Sequence, residues 1–381
     1  MTRVSEEITL TSPGPGTRRS LKVHRYGSAG ARPKAYLHAA LHADEWPGLL
    51  TLNHLIGMLD EADADGRIAG EVVLLPFANP IGMAQRFNGY FAGRHAFDGS
   101  GNFNRNWPDL TEPAARHLDG KLGNDAEANV VLMREALRAA VGELPCRSEV
   151  ETLKATLLSL SIDAEIVLDV HCDSIATMHL YAHRSQEDIV MMLAADLDSP
   201  VVLLEDEPGG DPFDKCNQAP WIRLRERFEL DQTLPIRCFS TTVELRGCND
   251  VNDSMARADA EGLLHFLMRQ GVVAGDPPPL GEPPCQATPL NGVDVLRSPG
   301  TGIIAWHKEI GERVTSGDLM AELVDIEADD PSAARTPIHA QTSGLLFARK
   351  QDTLAQPGDQ IGKIAGKEPL AHRQTEQLLS P

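Results

Sequence analysis

The chain has 381 residues, 42% of them apolar and 24% charged, which is ordinary for a folded protein and long enough for one large domain beside a small one. Lys and Arg total 35 against 55 Asp and Glu, a formal net charge of −20, so the basic footprint of a nucleic-acid binder is missing. No apolar run approaches the roughly 18 residues of a membrane span. The opening MTRVSEEITL has no basic-then-apolar leader pattern, and the six cysteines form no C-x-x-C pair. The expectation is therefore a soluble cytoplasmic protein with reduced thiols. The acidic balance still allows an anionic substrate, because a few arginines can focus a positive field inside one pocket.

In chain order, KAYLHAAL (34–41) reads as a short apolar strand, and GLLTLNHLIGML (48–59) has helical spacing after Pro47-Gly48. GEVVLLPFANP (70–80) is a second strand ending in a proline turn, and EANVVLMREALRAA (127–140) is a helix. DAEIVLDVHCDS (163–174) and RCFSTTVELRG (237–247) are strands, and MARADAEGLLHFLMRQG (255–271) is a helix closed by Gly271. Strands alternating with helices predict an α/β fold with a mixed sheet. DPPPLGEPPC (276–285) has five prolines in ten residues and reads as a stiff linker. After it, GTGIIAWHKEIGERVTSGDLMAEL and TSGLLFARKQDTLAQPGDQIGKI repeat one plan. The glycine spacing is 15 from Gly302 to Gly317 and 14 from Gly344 to Gly358. Short strands between glycine turns predict a small all-β barrel with internal two-fold symmetry. It resembles a biotinyl/lipoyl barrel, but residues 319–343, where a carrier has its modified lysine, contain no lysine. A structural or gating module is expected. The expected division is 1–275 for the main domain, 276–290 for the linker, 291–367 for the barrel and 368–381 for a tail.

Four features before the linker can carry chemistry. His42-x-x-Glu45 directly follows the first strand, where ligands gather in α/β sheets, and imidazole with carboxylate suits zinc. His171 ends a second buried strand and offers a third ligand. Asp169 shares its face at period two and can orient an imidazole. His38, inside the apolar strand, reads as a core histidine. The loop GRHAFDGSGNFNRNWPDL (93–110) carries Arg94, Asn102, Asn104, Arg105 and Asn106 among glycines and aromatics, and Arg105 can fork onto a carboxylate with Asn104 adding a donor. Glu244 interrupts a β-type run, is costly to bury without use, and can serve as general base toward a metal-activated water. Taken singly, each has an ordinary alternative: a solvated turn, a strand-end histidine, a polar loop, or a Glu244–Arg246 salt bridge.

The order H-x-x-E, N-R, D-x-H and a strand-borne Glu resembles the zinc carboxypeptidase superfamily, and most nearly its succinylglutamate desuccinylase/aspartoacylase family of zinc deacylases. That resemblance implies an α/β carboxypeptidase-like domain followed by a β domain. It also implies one zinc per chain on His42, Glu45 and His171, Glu244 as base, and Asn104-Arg105 as the substrate-binding pair. The arginine that steadies the oxyanion is expected at Arg94, with Arg86 as rival. The loop reads GNFNRNWPD where the family more usually has D-L-N-R. None of Tyr26, Tyr36, Tyr90 and Tyr181 lies shortly before Glu244, which argues against peptide trimming. The expected activity is a metal-dependent hydrolysis of the amide in a small, anionic N-acyl amino acid. A carboxypeptidase on short peptides and a non-catalytic binding protein of the same fold are the alternatives. Homo-oligomerisation is open, and no nucleic-acid or membrane partner is expected.

Overall fold

β-Branched and leucine-rich runs with no charged interior make strands that can be covered on both faces. Glu71–Leu75 is such a strand, and it and Lys34–Ala39 are buried along their whole length, as are seven of the eight residues of Ile166–Asp173, whose interior ionisable groups are paired. In the computed structural model, which describes residues 3–206, 209–230, 233–371 and 373, these form the centre of a mixed sheet. We number its strands before the linker β1 (Val4–Thr9), β2 (Ser20–Tyr26), β3 (Lys34–Ala39), β4 (Glu71–Leu75), β5 (Ile166–Asp173), β6 (His179–His183), β7 (Val202–Glu205) and β8 (Phe239–Gly247).

The chain divides into two compact units. The first holds residues 1–171, 210–242 and 251–280, and the second holds 172–209, 243–250 and 281–381. The second unit thus differs from the single cut expected at the prolines. It recruits earlier segments because Ile175–Ala176 pairs with Gly344–Arg349 and β7 pairs with Thr288–Pro289. Most of the expected tail lies outside the described residues.

In the first unit the strand order is β1-β2-β4-β3-β5, with the start of β8 following β5. β1, β2 and β4 pair antiparallel, while β4, β3 and β5 are parallel. The expected mixed α/β architecture is present. Its main core joins Tyr36, Val73, Leu75 and Val167 of the sheet to Met133, Leu137, Leu153, Leu157 and Trp221 of the helices. Among the described residues four α-helices start on side-chain caps: Asn79 before Pro80–Met83, Asp125 before Ala126–Gly142, Ser148 before Glu149–Ser161, and Asn252 before Asp253–Arg269. Phe213–Arg227 is a further helix, with Pro220 inside it. Among the described residues, no helix is long and apolar enough to cross a membrane.

The helix α1 (Pro47–Ala64) opens on Pro47, where a missing N–H costs nothing. Gly48 then lets it lie against the sheet. A Cβ there would stand 2.9 Å from the Ala39 Cβ and 3.0 Å from a Val170 methyl.

In the second unit, β8, β6, β7 and Thr288–Pro289 lie side by side in that order. The segments after the linker form two small sheets. One runs Ile175–Ala176, Gly344–Arg349, Gln360–Gly366, Val293–Arg297, with Arg313–Val314 also on Gly344–Arg349. The other runs Arg335–His339, Leu319–Val324, Gly302–Trp306, Leu354–Ala355. Side chains from both, including Ile304, Met320, Leu346 and Ile364, make one apolar core. The repeated glycines have matching duties. A Cβ on Gly302 or Gly344 would strike the carbonyl oxygen of Val324 or Ala365 at 2.3 and 2.0 Å, and Gly317 and Gly358 take φ of 93° and 84°.

Gly48→Ala is expected to lower stability by about 1–3 kcal/mol through overpacking. Urea unfolding should show a lower midpoint at unchanged slope.

Candidate metal centre

The parallel register of β3 and β5 sets His38 directly opposite Asp169. Their side chains meet, with His38 Nε2 at 2.6 Å from Asp169 Oδ1, and both residues are fully buried. The Tyr36 hydroxyl contacts His38 Nδ1 at 2.8 Å. On the other side, His171 Nε2 is 2.8 Å from the same Asp169 oxygen. His38 is a core residue, as expected, and it also holds the carboxylate that orients His171. Burial raises the Asp169 pKa, but His171 and His38 outweigh it and keep the carboxyl well below the usual range.

After β3 the chain turns sharply. Ala40 adopts φ of 56°, a left-handed conformation that costs a β-carbon residue of order 1–3 kcal/mol. Its neighbours hold it there. Ala39 O accepts from Ala78 N at 2.8 Å, Leu41 O accepts from Asn79 Nδ2 at 2.8 Å, and Ala43 N donates to Gly93 O at 3.0 Å. A side chain on Gly93 would stand 2.4 Å from Asp44 N, so the loop can close on the turn only through glycine. This turn presents His42 and Glu45 to His171. His42 Nδ1 lies 2.9 Å from Glu45 Oε1, and His171 Nδ1 lies 2.6 Å from Glu45 Oε2.

One donor atom from each of His42, Glu45 and His171 falls within 4.8 Å of the others, and all three residues are buried. Burial raises Glu45, yet His42, His171 and Arg94 pull its pKa well below the ordinary value. Burial lowers His42, with Arg94 aiding it against Glu45. Burial also lowers His171, but Asp169 and Glu45 more than offset it and raise the group. Asn102 Oδ1 stands 2.7 Å from His42 Nε2. This pairing assigns the Nε2 proton to Asn102 and leaves the Nδ1 lone pair on the Glu45 side. Two imidazole edges and an ionised carboxylate facing one another suit a zinc-type cation. Arg94 gives a second sign of that preference: its guanidinium reaches His42 Nδ1 at 2.9 Å and Glu45 Oε1 at 3.0 Å, and 40% of its side chain is exposed.

The rival Arg86 is elsewhere. It is exposed, stacks on Phe91 at 3.8 Å and donates to the Met83 and Gln85 carbonyls. Asn104 is buried at 4% exposure, with Nδ2 at 3.2 Å from His171 Nε2 and Oδ1 accepting from Phe213 N at 2.8 Å. With the Nε2 proton of His171 directed at Asp169, the Asn104 Nδ2 donates to Asp169 Oδ2 at 3.4 Å and so steadies the carboxylate that orients the histidine. Arg105 is half-buried and donates to Asn104 O at 2.7 Å. Asp214, unremarked in the sequence, is buried, and burial together with Asp169 pushes its carboxyl up to about 6. Glu244 belongs to the second unit, half-buried on β8. Tyr181, dismissed for its distance in sequence, stands on β6, the strand beside β8, and interacts electrostatically with Glu244.

Residues 31–131 match the succinylglutamate desuccinylase/aspartoacylase catalytic domain. The chain is 24% identical over 349 residues to an N-alpha-acetyl-L-2,4-diaminobutyric acid deacetylase of Halomonas elongata, covering 88% of this chain and 83% of that one. Among solved structures, a succinylglutamate desuccinylase/aspartoacylase family protein of Shewanella amazonensis superposes with a TM-score of 0.81 at 22% identity, covering 96% of this chain and 99% of that one. The product-bound ectoine utilization protein EutE (DoeB) of Ruegeria pomeroyi gives 0.67 at 17% identity, covering 96% and 95%. These structural likenesses establish a shared fold.

Asp169→Asn keeps the shape and removes the charge that orients His171. It is expected to weaken zinc affinity by about 10–100-fold, measured by competition against a chromophoric chelator.

Proposed function

Taking the resemblance to the succinylglutamate desuccinylase/aspartoacylase family as premise, we propose that this chain is a zinc-dependent deacylase of a small N-acyl amino acid. The observation that carries the reading is the buried His42–Glu45–His171 cluster, two of whose members lie within the stretch that matches the catalytic domain. The similarity to a deacetylase of an N-acetylated diamino acid favours an acyl amide over a peptide.

His42, Glu45 and His171 would hold one zinc, with Asp169 and Asn102 fixing the two imidazoles. Zinc held there would supply Lewis acidity and lower the pKa of a water molecule. Glu244 would take a proton from the attacking water and return it to the leaving nitrogen, so the products are a carboxylic acid and a free amine. Arg94 donates to the oxygen that gains negative charge as the carbonyl carbon becomes tetrahedral. Arg105 forks onto the substrate carboxylate, and Asn104 steadies His171 through Asp169.

The test is a panel of N-acetyl and N-succinyl amino acids beside dipeptides, scored for free amine with and without a chelator. Release from the acyl amino acids, lost on chelation and restored by zinc, is the expected result. Preferential cleavage of dipeptides would favour the carboxypeptidase reading, and no release from any substrate would favour a binding protein. Glu244→Gln is expected to cut kcat by about 10²–10⁴-fold with zinc content unchanged. A variant retaining both full activity and zinc would overturn the base assignment.

A further inference from the structure

A half-buried ammonium loses hydration and needs strong acceptors in exchange. Lys154, on the helix Glu149–Ser161, finds two of them in one loop. Its Nζ donates to Arg105 O at 2.8 Å and to Asn106 O at 3.2 Å, and it lies 5.4 Å from the centroid of the Trp107 ring. These two carbonyls flank the rotatable bonds of Asn106. Asn106 is left-handed, with φ of 55°, a conformation that few residues with a side chain adopt and that the surroundings must hold. The ammonium fixes the pair of carbonyls that this twist brings together.

The other edge of the loop is held by the segment that leads into the helix Phe213–Arg227. Asn106 N donates to Gly210 O and Trp107 N to Asp211 O, both at 2.9 Å, and Phe213 N donates to Asn104 Oδ1 at 2.8 Å. Gly210 has φ of 81°, and a Cβ on it would stand 2.5 Å from Arg105 Cδ and 2.9 Å from Arg105 Nε. The Arg105 side chain therefore lies on the bare backbone of Gly210, while its Nη1 turns back to Asn104 O at 2.7 Å. All of these groups belong to the first unit, and Asn104 ties them to Asp169 of the metal centre. A guanidinium recognises a carboxylate by the angle of its fork as well as by its charge. A shift of the Arg105 backbone would weaken that recognition at unchanged charge.

We propose that Lys154 is a positioning residue for Arg105: by gripping the carbonyls of Arg105 and Asn106 it keeps the guanidinium on Gly210, at the angle that takes a substrate carboxylate. Lys154 thus sets the preference for an acid over its uncharged amide without touching the substrate. This deepens the proposed function and rests on its reading of Arg105.

The test uses the zinc-loaded full-length protein, the best-cleaved N-acetyl amino acid of the panel, and the α-carboxamide of the same compound, which lacks the carboxylate. The quantity read is the ratio of kcat/KM between the two. Lys154→Met keeps the stem and removes the ammonium. It is expected to lower the ratio roughly tenfold through a raised KM for the acid, with kcat on the acid and KM for the carboxamide within about threefold of the parent. A merely structural role would depress both substrates alike, and that result would overturn the proposal. Arg105→Met is expected to lower the ratio by at least as much, and Lys154→Met/Arg105→Met no further than Arg105→Met alone. A further loss in the double variant would mean that the ammonium meets the substrate itself, which would also overturn the proposal. If Lys154→Met does not fold, Lys154→Gln, neutral and shorter, is read by the same criteria. An Arg105→Met protein that loses the preference beside a Lys154→Met protein that keeps it sinks this inference only. An Arg105→Met protein with the parental preference sinks the reading of Arg105 itself.

Discussion

One fully buried carboxylate organises the candidate metal centre. Asp169 sits at zero exposure between His38 and His171, and it can be there only because both imidazoles meet it. A lone buried carboxylate would lose several kcal/mol of hydration, and removing one partner from such a pair typically costs about 3–5 kcal/mol. The pairing also aims His171. With Nε2 engaged by Asp169, the Nδ1 edge faces Glu45, and Glu45 in turn faces His42. The chain of contacts from Tyr36 to His42 is thus continuous, and its crossing from β3 to β5, His38 onto Asp169, depends on the register of the two strands.

The turn after β3 completes the arrangement by accepting strain. Ala40 is left-handed, and surrounding backbone hydrogen bonds hold it there. Strain of this kind persists only where the surroundings over-determine it. The loop that approaches the turn brings Arg94 and Asn102 to His42. Gly93 is small enough to allow that approach, and no other side chain would be.

The module after the linker shows how a repeated sequence becomes repeated geometry. Gly302 and Gly344 are each pressed against a carbonyl oxygen, and Gly317 and Gly358 each turn with positive φ. The absence of a lysine between residues 319 and 343 argues against a carrier arm. Lys363, buried on the final strand, pairs instead with Asp173 at 2.7 Å.

Much was determined by the sequence alone. Apolar runs ending in ionisable residues located the strand ends, the spacing of His42 and Glu45 marked a ligand pair, and Asp169 with His171 marked one face of a strand. These are short-range features, set by the period of a strand or the reach of a turn. The tertiary structure decided what depends on register and strand order. It moved His38 from plain core to partner of Asp169, and it separated Arg94 from Arg86. It engaged both ends of the Asn104 amide. It brought Tyr181 beside Glu244 although 63 positions separate them, and it brought Lys363 to Asp173 from the far side of the linker. Such neighbours are made by crossover connections between strands, and a crossover leaves no periodic trace in the residues that it brings together.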